Sequence, residues 1–274
     1  MLARRKIIKY TGVYILMAIV FFVFLFPIIW TFLSSIKHPL DLYKVSLIFK
    51  PYVGSYKELF VETNFALNLI NSIMVSIAAT GLIILVGSPC AYSMARFKIG
   101  GKSGPLTILM LRMVPPIVPI IPIYFLYRQL GLIDTRIGLI LIYAVFNLPL
   151  YIWIMIGFFE ALPMETEEAA SLDGCSTLGI FGKISLPLAL PGLIASAALC
   201  FIFSWNEFLF ALILTHESAK TAPVAITGLI SHLGIPVGKV SAAGSLIAGP
   251  AVLFILLFQK YIVKGLAYGS VPEL

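Results

Sequence analysis

The 274-residue chain is too apolar to be a water-soluble protein, because 60% of its residues are hydrophobic and only 11% are charged, whereas soluble domains carry about a quarter charged residues. The composition therefore predicts a protein of the lipid bilayer. Its net charge of +7 is accounted for by basic residues near the ends of membrane spans, so it does not indicate nucleic-acid binding.

Six apolar stretches are each long enough, at about 20 residues, to cross the hydrocarbon core of a bilayer as a helix. A helix is required there because every backbone polar group in lipid needs a partner within the protein. We therefore predict an all-α membrane protein with six transmembrane helices, of which the first is too long to be the apolar region of a cleaved signal peptide. The predicted spans are residues 13–33, 69–94, 104–127, 137–159, 190–214 and 240–259.

The sequence divides into three regions. The first span and a comparatively polar loop occupy residues 1–67, the other five spans with a loop at 160–189 occupy residues 68–262, and a tail occupies residues 263–274. The third span holds a run of prolines, which remove backbone donors, so we predict that it is irregular. An irregular span fits a translocation pathway or a gate, although prolines are also common in membrane helices generally. The prolines are Pro115, Pro116, Pro119 and Pro122.

Basic residues indicate the orientation of the chain in the membrane. With an even number of spans, both termini share one side with the loops at 95–104 and 160–189, and that side carries ten Lys and Arg residues against eight on the other. Basic residues close to span ends count most in the positive-inside rule. We therefore expect a multi-pass protein of the cell (inner or plasma) membrane with both termini in the cytoplasm.

The loop between the fourth and fifth spans contains a short helix with a well-defined start. Pro163 suits the first turn, and three glutamates lie near the positive N-terminal end. Ala169 and Ala170 keep one face thin, Gly174 permits the left-handed turn that ends a helix, and Ser176 is placed to cap a second helix. These features fit either a docking surface for another protein or a polar loop that only connects two spans. The glutamates are Glu165, Glu167 and Glu168.

A longer pattern surrounds this helix. Glu168-Ala169-Ala170, three further residues, Gly174, nine further residues and Ile184-Ser185-Leu186-Pro187 resemble, without a gap, the signature of ABC importer permeases. From about residue 10 to 268 the chain is similar to the maltose-type carbohydrate permeases, and among them to the shorter permease subunit. The other motifs that carry this resemblance are Asn71-Ser72, Ala91-Tyr92-Ser93-Met94-Ala95-Arg96, Gly131-Leu132-Ile133-Asp134-Thr135, Trp205-Asn206-Glu207-Phe208 and Gly265-Leu266.

The resemblance implies a type I ABC importer transmembrane domain, whose six helices pair with a second homologous permease subunit. It also implies two ATP-binding subunits, which hold ATP and Mg²⁺, and an extracytoplasmic substrate-binding protein, so no cofactor is expected in this chain. In such importers the Glu-Ala-Ala segment is the coupling helix, which sits in a cleft of an ATP-binding subunit. Carried over, Glu168 pairs with a basic residue there, while Ala169 and Ala170 form the closely packed face. Gly174 makes the turn, and Asp173 belongs to the same segment.

Two charged residues fall inside predicted spans. Glu207 is costly there unless it faces the protein interior or a water-filled path. With Trp205 and Asn206 it offers an aromatic face, an amide and a carboxylate, which suit a hydroxyl-rich substrate. The alternative is structural hydrogen bonding between helices, with the partner permease holding most of the substrate site. Arg112 is a further candidate for the substrate path. It snorkels towards the cytoplasm, pairs with an acidic group of the partner or binds a phosphate, and the sequence leaves all three open.

Catalytic signals are missing from the sequence. Gly101-Lys102-Ser103 resembles the end of a phosphate-binding loop, but Arg96 stands where the first glycine of that motif belongs. No metal-ligand spacing, paired carboxylates within a span or nucleophile elbow is found, so we predict a transport subunit without a metal site and not an enzyme. The alternatives are an ion-coupled secondary transporter, which ordinarily needs more ionisable groups in its spans, and, within ABC importers, a glycerol-phosphate permease.

Overall fold

The fold is all-helical in the part of the chain that the computed structural model describes, which is residues 2–44, 46–101, 103–230 and 234–268. The first six helices are α1 (Leu2–Ser35), α2 (Gly54–Glu62), α3 (Phe65–Phe97), α4 (Gly104–Leu111), α5 (Ile120–Gln129) and α6 (Arg136–Glu160). They are followed by α7 (Met164–Leu172), α8 (Thr177–Ile180), α9 (Leu186–Leu188), α10 (Leu190–Trp205), α11 (Leu209–Leu214), α12 (Ala222–Ala225) and α13 (Val237–Tyr268). A π-helical turn, Phe181–Ser185, joins α8 to α9.

The predicted membrane character is confirmed, but six uninterrupted spans are not observed. Within the described ranges, four helices are long and apolar enough to cross a membrane, and a fifth candidate is a pair of helices bent by 78°. The count differs from six because the third and fifth predicted spans are each divided into two shorter helices. The four helices are Leu16–Ser35, Phe65–Phe97, Arg136–Glu160 and Val237–Lys260, and the bent pair is Thr177–Leu188 with Leu190–Trp205.

The predicted irregularity of the third span is present as a break between α4 and α5. These helices have 8 and 10 residues, so at about 1.5 Å per residue each is far shorter than the roughly 30 Å hydrocarbon core. Pro119 is the residue just before α5, and Pro122 lies in its first turn, where a missing backbone donor removes no helical hydrogen bond. The prolines therefore end one helix and begin another.

One compact unit of the chain combines residues 1–66 with residues 226–248. Within it, the Lys239 ammonium forms ion pairs with Glu58 at 3.3 Å and with Glu62, which joins the start of α13 to α2. Gly238 faces Ser55 so closely that an added Cβ would lie 2.6 Å from the serine oxygen. The predicted region 68–262 differs from this division, because contacts between residues far apart in sequence place 226–248 with the N-terminal unit.

The other unit combines residues 67–225 with residues 249–274, of which 269–274, the end of the predicted tail, lie outside the described residues. Its centre is formed by α3, α6 and α10. Gly192 of α10 allows this close packing, because an added Cβ would lie 2.2 Å from the ring of Phe158 on α6. The buried hydroxyl groups of Ser88 and Tyr151 are hydrogen-bonded at 2.7 Å and join α3 to α6.

Helix α6 separates two polar ends of this second unit. Its 25 residues span about 37 Å at a rise of 1.5 Å per residue. The segment 160–189 begins at its last residue, Glu160, and the loop 130–135 precedes its first, Arg136. We refer to these as the Glu160 end and the Arg136 end, and each carries a group of polar contacts.

Candidate functional site

The predicted coupling segment, residues 160–189, begins with two short helices, α7 and α8, which are separated by a tight turn and followed by the π-helical turn and α9. Gly174 has φ of 85°, which glycine adopts without a steric penalty. The backbone N–H groups of Gly174 and Cys175 donate back to carbonyls of the last turn of α7 at 3.1 and 3.0 Å, the pattern of a glycine-terminated helix. The Ser176 hydroxyl then accepts the Gly179 N–H at 3.2 Å and caps α8. The turn and the second cap that the sequence predicts are both present.

Glu167 points into the unit and is bound by three side chains. Arg96 Nε donates to both carboxylate oxygens at 3.0 Å, and its Nη2 donates to Oε1 at 2.9 Å. The Ser185 hydroxyl donates to Oε1 at 2.8 Å, and the Tyr92 hydroxyl donates to Oε2 at 3.0 Å. The ion pair is almost excluded from solvent, with side-chain exposures of 7% for Arg96 and 12% for Glu167. We name Tyr92, Arg96, Glu167 and Ser185 the Glu167 clamp.

The clamp keeps the Glu167 carboxyl ionised. Burial alone raises the pKa of this group, but hydrogen bonds from Arg96, Ser185 and Tyr92 outweigh burial and lower the pKa below its usual value. The resulting stabilisation is fully present above the pKa of an unfolded glutamate and is lost as the pH falls through the lowered value. At neutral pH the clamp is therefore a charged pair.

The opposite face of the segment is exposed. Glu168, Ala169 and Asp173 all lie at the surface, and the Glu168 carboxylate forms no ion pair with the rest of the described chain. Leu172 is 90% exposed and Leu178 is 80% exposed. The segment thus presents a carboxylate and two large apolar side chains on a part of the chain that lies outside the predicted spans.

One residue of the predicted contact surface is buried within the chain. Ala170 was expected to lie on the face that packs against an ATP-binding subunit, but it is only 8% exposed. It follows Glu167 by three residues, so the two share one face of α7, and that face is turned into the chain. The inward orientation of Glu167 was not predicted from the sequence. The signal that could have indicated it is the small residue Ala170, three positions later on the same helix face.

The second predicted site lies at the break between α10 and α11. The Glu207 carboxylate accepts the Phe210 N–H at 2.9 Å and the Ala211 N–H at 3.2 Å, so both of its oxygens cap α11, where the positive helix end favours an anion. Trp205 is 1% exposed and offers no open ring face. Asn206 is exposed, with its amide donating to the Ile202 carbonyl at 2.9 Å. Of the three substrate-path candidates at this break, only Asn206 is exposed.

Arg112 immediately follows α4, at the start of the break before α5. Its Nη1 donates to Asn147 Oδ1 at 3.0 Å and to the Phe146 carbonyl at 3.3 Å. Its guanidinium lies over the Phe203 ring, 4.5 Å from the centroid, and Phe203 is 44% exposed. Within the described ranges no carboxylate forms an ion pair with Arg112. The sequence predicted a role for Arg112 but did not identify Phe203 as its neighbour.

At the Arg136 end, Asp134 binds a row of four backbone N–H groups. Burial raises the pKa of Asp134, but the four backbone donors outweigh it and lower the pKa to about 2. Asp134 has φ of 56°, a conformation that Asp tolerates better than most residues. The carboxylate thus fixes the chain after α11 to the start of α6. The donors are His216 at 3.0 Å, Glu217 at 3.3 Å, Ser218 at 3.0 Å and Ala219 at 3.1 Å.

Asn71 of α3 extends this network. Its Nδ2 donates to the carbonyls of Ser218 and Lys220, each at 3.0 Å, and its Oδ1 accepts from Arg136 Nε at 2.8 Å. The Arg136 end is therefore closed by side chains that cross between α3, α6 and the loop after α11. Asn71 and Asp134 belong to motifs noted in the sequence, but their role in joining these elements was missed.

Comparison with protein families matches residues 83–268, more than half of the chain, to the family model described as binding-protein-dependent transport system inner membrane component. The matched residues include the whole Glu167 clamp, the exposed face of α7 and the break between α10 and α11. The region that carries the candidate sites is therefore the region that carries the family likeness.

Similar proteins extend the likeness to nearly the whole chain. The chain is 39% identical to the probable ABC transporter permease protein y4oR of Sinorhizobium fredii, over 91% of both chains. It is 38% identical to the trehalose transport system permease protein SugB of Mycobacterium tuberculosis, over 90% of this chain and 92% of that protein. Among solved structures, a bacterial ABC transporter involved in the import of the acidic polysaccharide alginate matches with a TM-score of 0.79 at 25% identity, covering 94% of this chain and 98% of that one.

Proposed function

Because the chain belongs to the family of binding-protein-dependent transport system inner membrane components, we propose that it forms half of the translocation pathway of an ABC importer for a carbohydrate or polyol. Dependence on a binding protein and residence in the membrane follow from the family itself. The other half of the pathway is a second homologous permease, and two ATP-binding subunits hold the ATP and Mg²⁺ that drive transport. This chain is a transport subunit and hydrolyses no ATP.

The carbohydrate substrate is supported by the names of the relatives. A permease for trehalose is 38% identical to this chain, and the transporter for an acidic polysaccharide shares its fold along almost its whole length. Arg112, Phe203 and Asn206 are exposed or half-buried near the breaks of two helices, and they supply a cation, an aromatic ring and an amide. Such groups bind sugars by hydrogen bonding and stacking, so we assign them to the substrate path.

The exposed face of α7 is the observation that carries the coupling role. Leu172 of α7 and Leu178 of the adjoining α8 expose 90% and 80% of their surface. Large apolar groups exposed beside a free carboxylate mark a protein-docking surface, and Glu168 supplies that carboxylate. We assign Glu168, Ala169 and Asp173 to contact with an ATP-binding subunit, with Glu168 paired to a basic residue there, and Gly174 to the turn that shapes the surface. This assignment places the segment 160–189 and both termini in the cytoplasm.

The coupling role is tested by reversing the charge of Glu168 in the full complex. In Glu168→Lys, we expect membrane insertion to be unchanged, ATP-binding subunits recovered with the permease to fall at least tenfold, and uptake to be lost. The matched control is Glu217→Lys, which reverses the charge of another exposed glutamate at the Arg136 end and should retain the ATP-binding subunits. Normal recovery of these subunits and normal uptake in Glu168→Lys would refute the coupling surface.

The substrate class is tested on the cognate binding protein. We expect its melting temperature to rise with trehalose, maltose or sorbitol, because a ligand that binds only the folded state stabilises it. If only glycerol 3-phosphate raised the melting temperature of the binding protein, the chain would be a glycerol-phosphate permease and not a carbohydrate permease. ATP-independent uptake driven by a proton or sodium gradient would instead identify a secondary transporter.

A further inference from the structure

The Glu167 clamp joins three parts of the second unit through one carboxylate. Tyr92 and Arg96 belong to the end of α3, Glu167 belongs to α7, and Ser185 ends the π-helical turn that leads back towards α10. Arg96 Nη2 also donates to the Leu162 carbonyl, between α6 and α7, at 3.2 Å. The clamp therefore connects the coupling segment to a membrane helix at its entrance, its middle and its exit.

Polar attachment of α7 to α3 depends on this one residue. In the described part of the chain, every side-chain hydrogen bond between α7 and α3 is made by Glu167. Two parallel N–H donors from one guanidinium fix the angle as well as the distance between the pair. The Arg96–Glu167 pair thus joins the two helices directly, so a displacement of α7 also displaces the end of α3.

A second ion pair nearby provides an internal comparison. Lys98 and Glu160 approach to 2.8 Å, but their side chains are 68% and 47% exposed. An exposed pair of this kind contributes little because solvent screens it and both side chains must be ordered. Only the buried pair has the geometry and the shielding to carry force between elements.

We propose that Glu167 is a positioning residue for energy coupling, which makes the inner face of the coupling segment and the end of α3 move as one body. This inference rests on the proposed function, because it takes the outer face of α7 as the surface on which the ATP-binding subunit acts. Glu168 then receives the movement, and Glu167 passes it to the membrane helix. Loss of Glu168 should release the ATP-binding subunit. Loss of Glu167 should leave that subunit bound, but its ATP hydrolysis should no longer drive transport.

The test removes the clamp while preserving the fold. Deleting one partner of a buried pair leaves the other charge unpaired, whereas replacing both by apolar residues of similar size is tolerated in many proteins. The variants are therefore the double substitution Arg96→Met/Glu167→Leu and the single substitution Glu167→Gln. The complete complex is reconstituted in liposomes with its binding protein, and labelled trehalose and maltose serve as probe sugars.

We expect the double variant to retain its ATP-binding subunits and its ATP hydrolysis, while the sugar imported per ATP hydrolysed falls about tenfold. Glu167→Gln should show the same change to a smaller extent, because the amide keeps one oxygen acceptor. The control Glu160→Gln, which breaks the exposed pair, should leave the ratio unchanged. A reversed pair, Arg96→Glu/Glu167→Arg, should restore part of the ratio.

The outcomes separate this inference from the proposed function. A normal sugar-to-ATP ratio in the double variant would overturn the positioning role. Loss of the ATP-binding subunits, or failure of both clamp variants to accumulate in the membrane, would also overturn it, because the clamp would then serve folding alone. Failure of the proposed function has a different signature, since Glu168→Lys would then keep its ATP-binding subunits whatever the clamp variants do.

Discussion

Two interruptions of the helical chain, the segment 160–189 and the break between α10 and α11, each contain a pair of adjacent polar residues with different roles. In the first, Glu167 is bound inside the unit and Glu168 is exposed. In the second, Glu207 binds the backbone of α11 and Asn206 is exposed. In both pairs one residue holds the local structure and its neighbour faces the surroundings.

The two pairs differ in how the inward carboxylate is held. Glu167 is paired with a cation from a distant helix, whereas Glu207 is satisfied by N–H groups three and four residues further along the chain. The first arrangement links distant elements through a charged pair, and the second shapes the start of a short helix. We therefore expect changes around Glu167 to affect coupling, and changes at Glu207 to affect local stability.

The largest effect is expected at Gly174, whose conformation orients the exposed face of α7. Gly174→Val introduces a β-branched side chain at φ of 85°, where even simple side chains cost about 1–2 kcal/mol. We expect uptake to fall at least tenfold with normal insertion, as measured in cells with quantified permease. Gly182→Ala is the control, because an added Cβ there meets no atom within 4 Å. Unchanged uptake in Gly174→Val would show that the turn does not set the coupling surface.

An intermediate effect is expected from Glu207→Ala, which removes the cap of α11 and should lower stability by about 1–2 kcal/mol. The measurement is the melting temperature of the purified permease complex in detergent. Glu207→Gln keeps an acceptor oxygen and should lose less. Asn206→Ala should leave the melting temperature unchanged and alter the relative uptake of trehalose and maltose. The structural role assigned to Glu207 would be contradicted if Asn206→Ala lowered the melting temperature and Glu207→Ala did not.

The smallest effect is expected from Asp134→Asn, which tests whether backbone N–H groups alone hold a carboxylate firmly. Because the pKa of Asp134 is lowered to about 2, its stabilisation is complete above the usual aspartate pKa and is lost as the pH falls through the lowered value. We expect the wild type to exceed the variant in stability by about 1 kcal/mol. The gap should stay constant from about pH 7 to pH 5 and close almost completely by about pH 3, because protonation of the carboxylate destabilises only the wild type. A gap that grows on acidification would contradict this account.

The sequence was sufficient for the features that depend on local composition. Apolar length predicts the membrane helices, the proline run predicts the break before Ile120, and glycine at position 174 predicts the end of α7. Each of these signals acts within a few residues of the structure it determines. The break after Trp205 has no proline or glycine beside it, and accordingly the fifth span was predicted as continuous.

Features that depend on distant partners were not predicted. Whether Glu167 or Glu168 points inward is decided by Arg96, which lies 71 residues before Glu167, and a single sequence contains no record of that pairing. The same holds for Asp134 and its donors more than 80 residues later. The grouping of residues 226–248 with the N-terminal unit likewise depends on the contacts of Lys239 with Glu58 and Glu62.

The π-helical turn offers a structural reason for the number of residues between Gly174 and Ile184-Ser185-Leu186-Pro187 in the signature motif. A π turn is equivalent to one residue inserted into an α-helix, so it changes the angular phase of everything that follows. Deleting one residue from Phe181–Ser185 would restore an α-helix and rotate the following side chains by about 100°. The hydroxyl of Ser185 would then leave the Glu167 carboxylate, which it now reaches at 2.8 Å. The number of residues in this stretch thus fixes the direction in which the following side chains point. We expect the chain to tolerate substitutions within the stretch better than a single deletion.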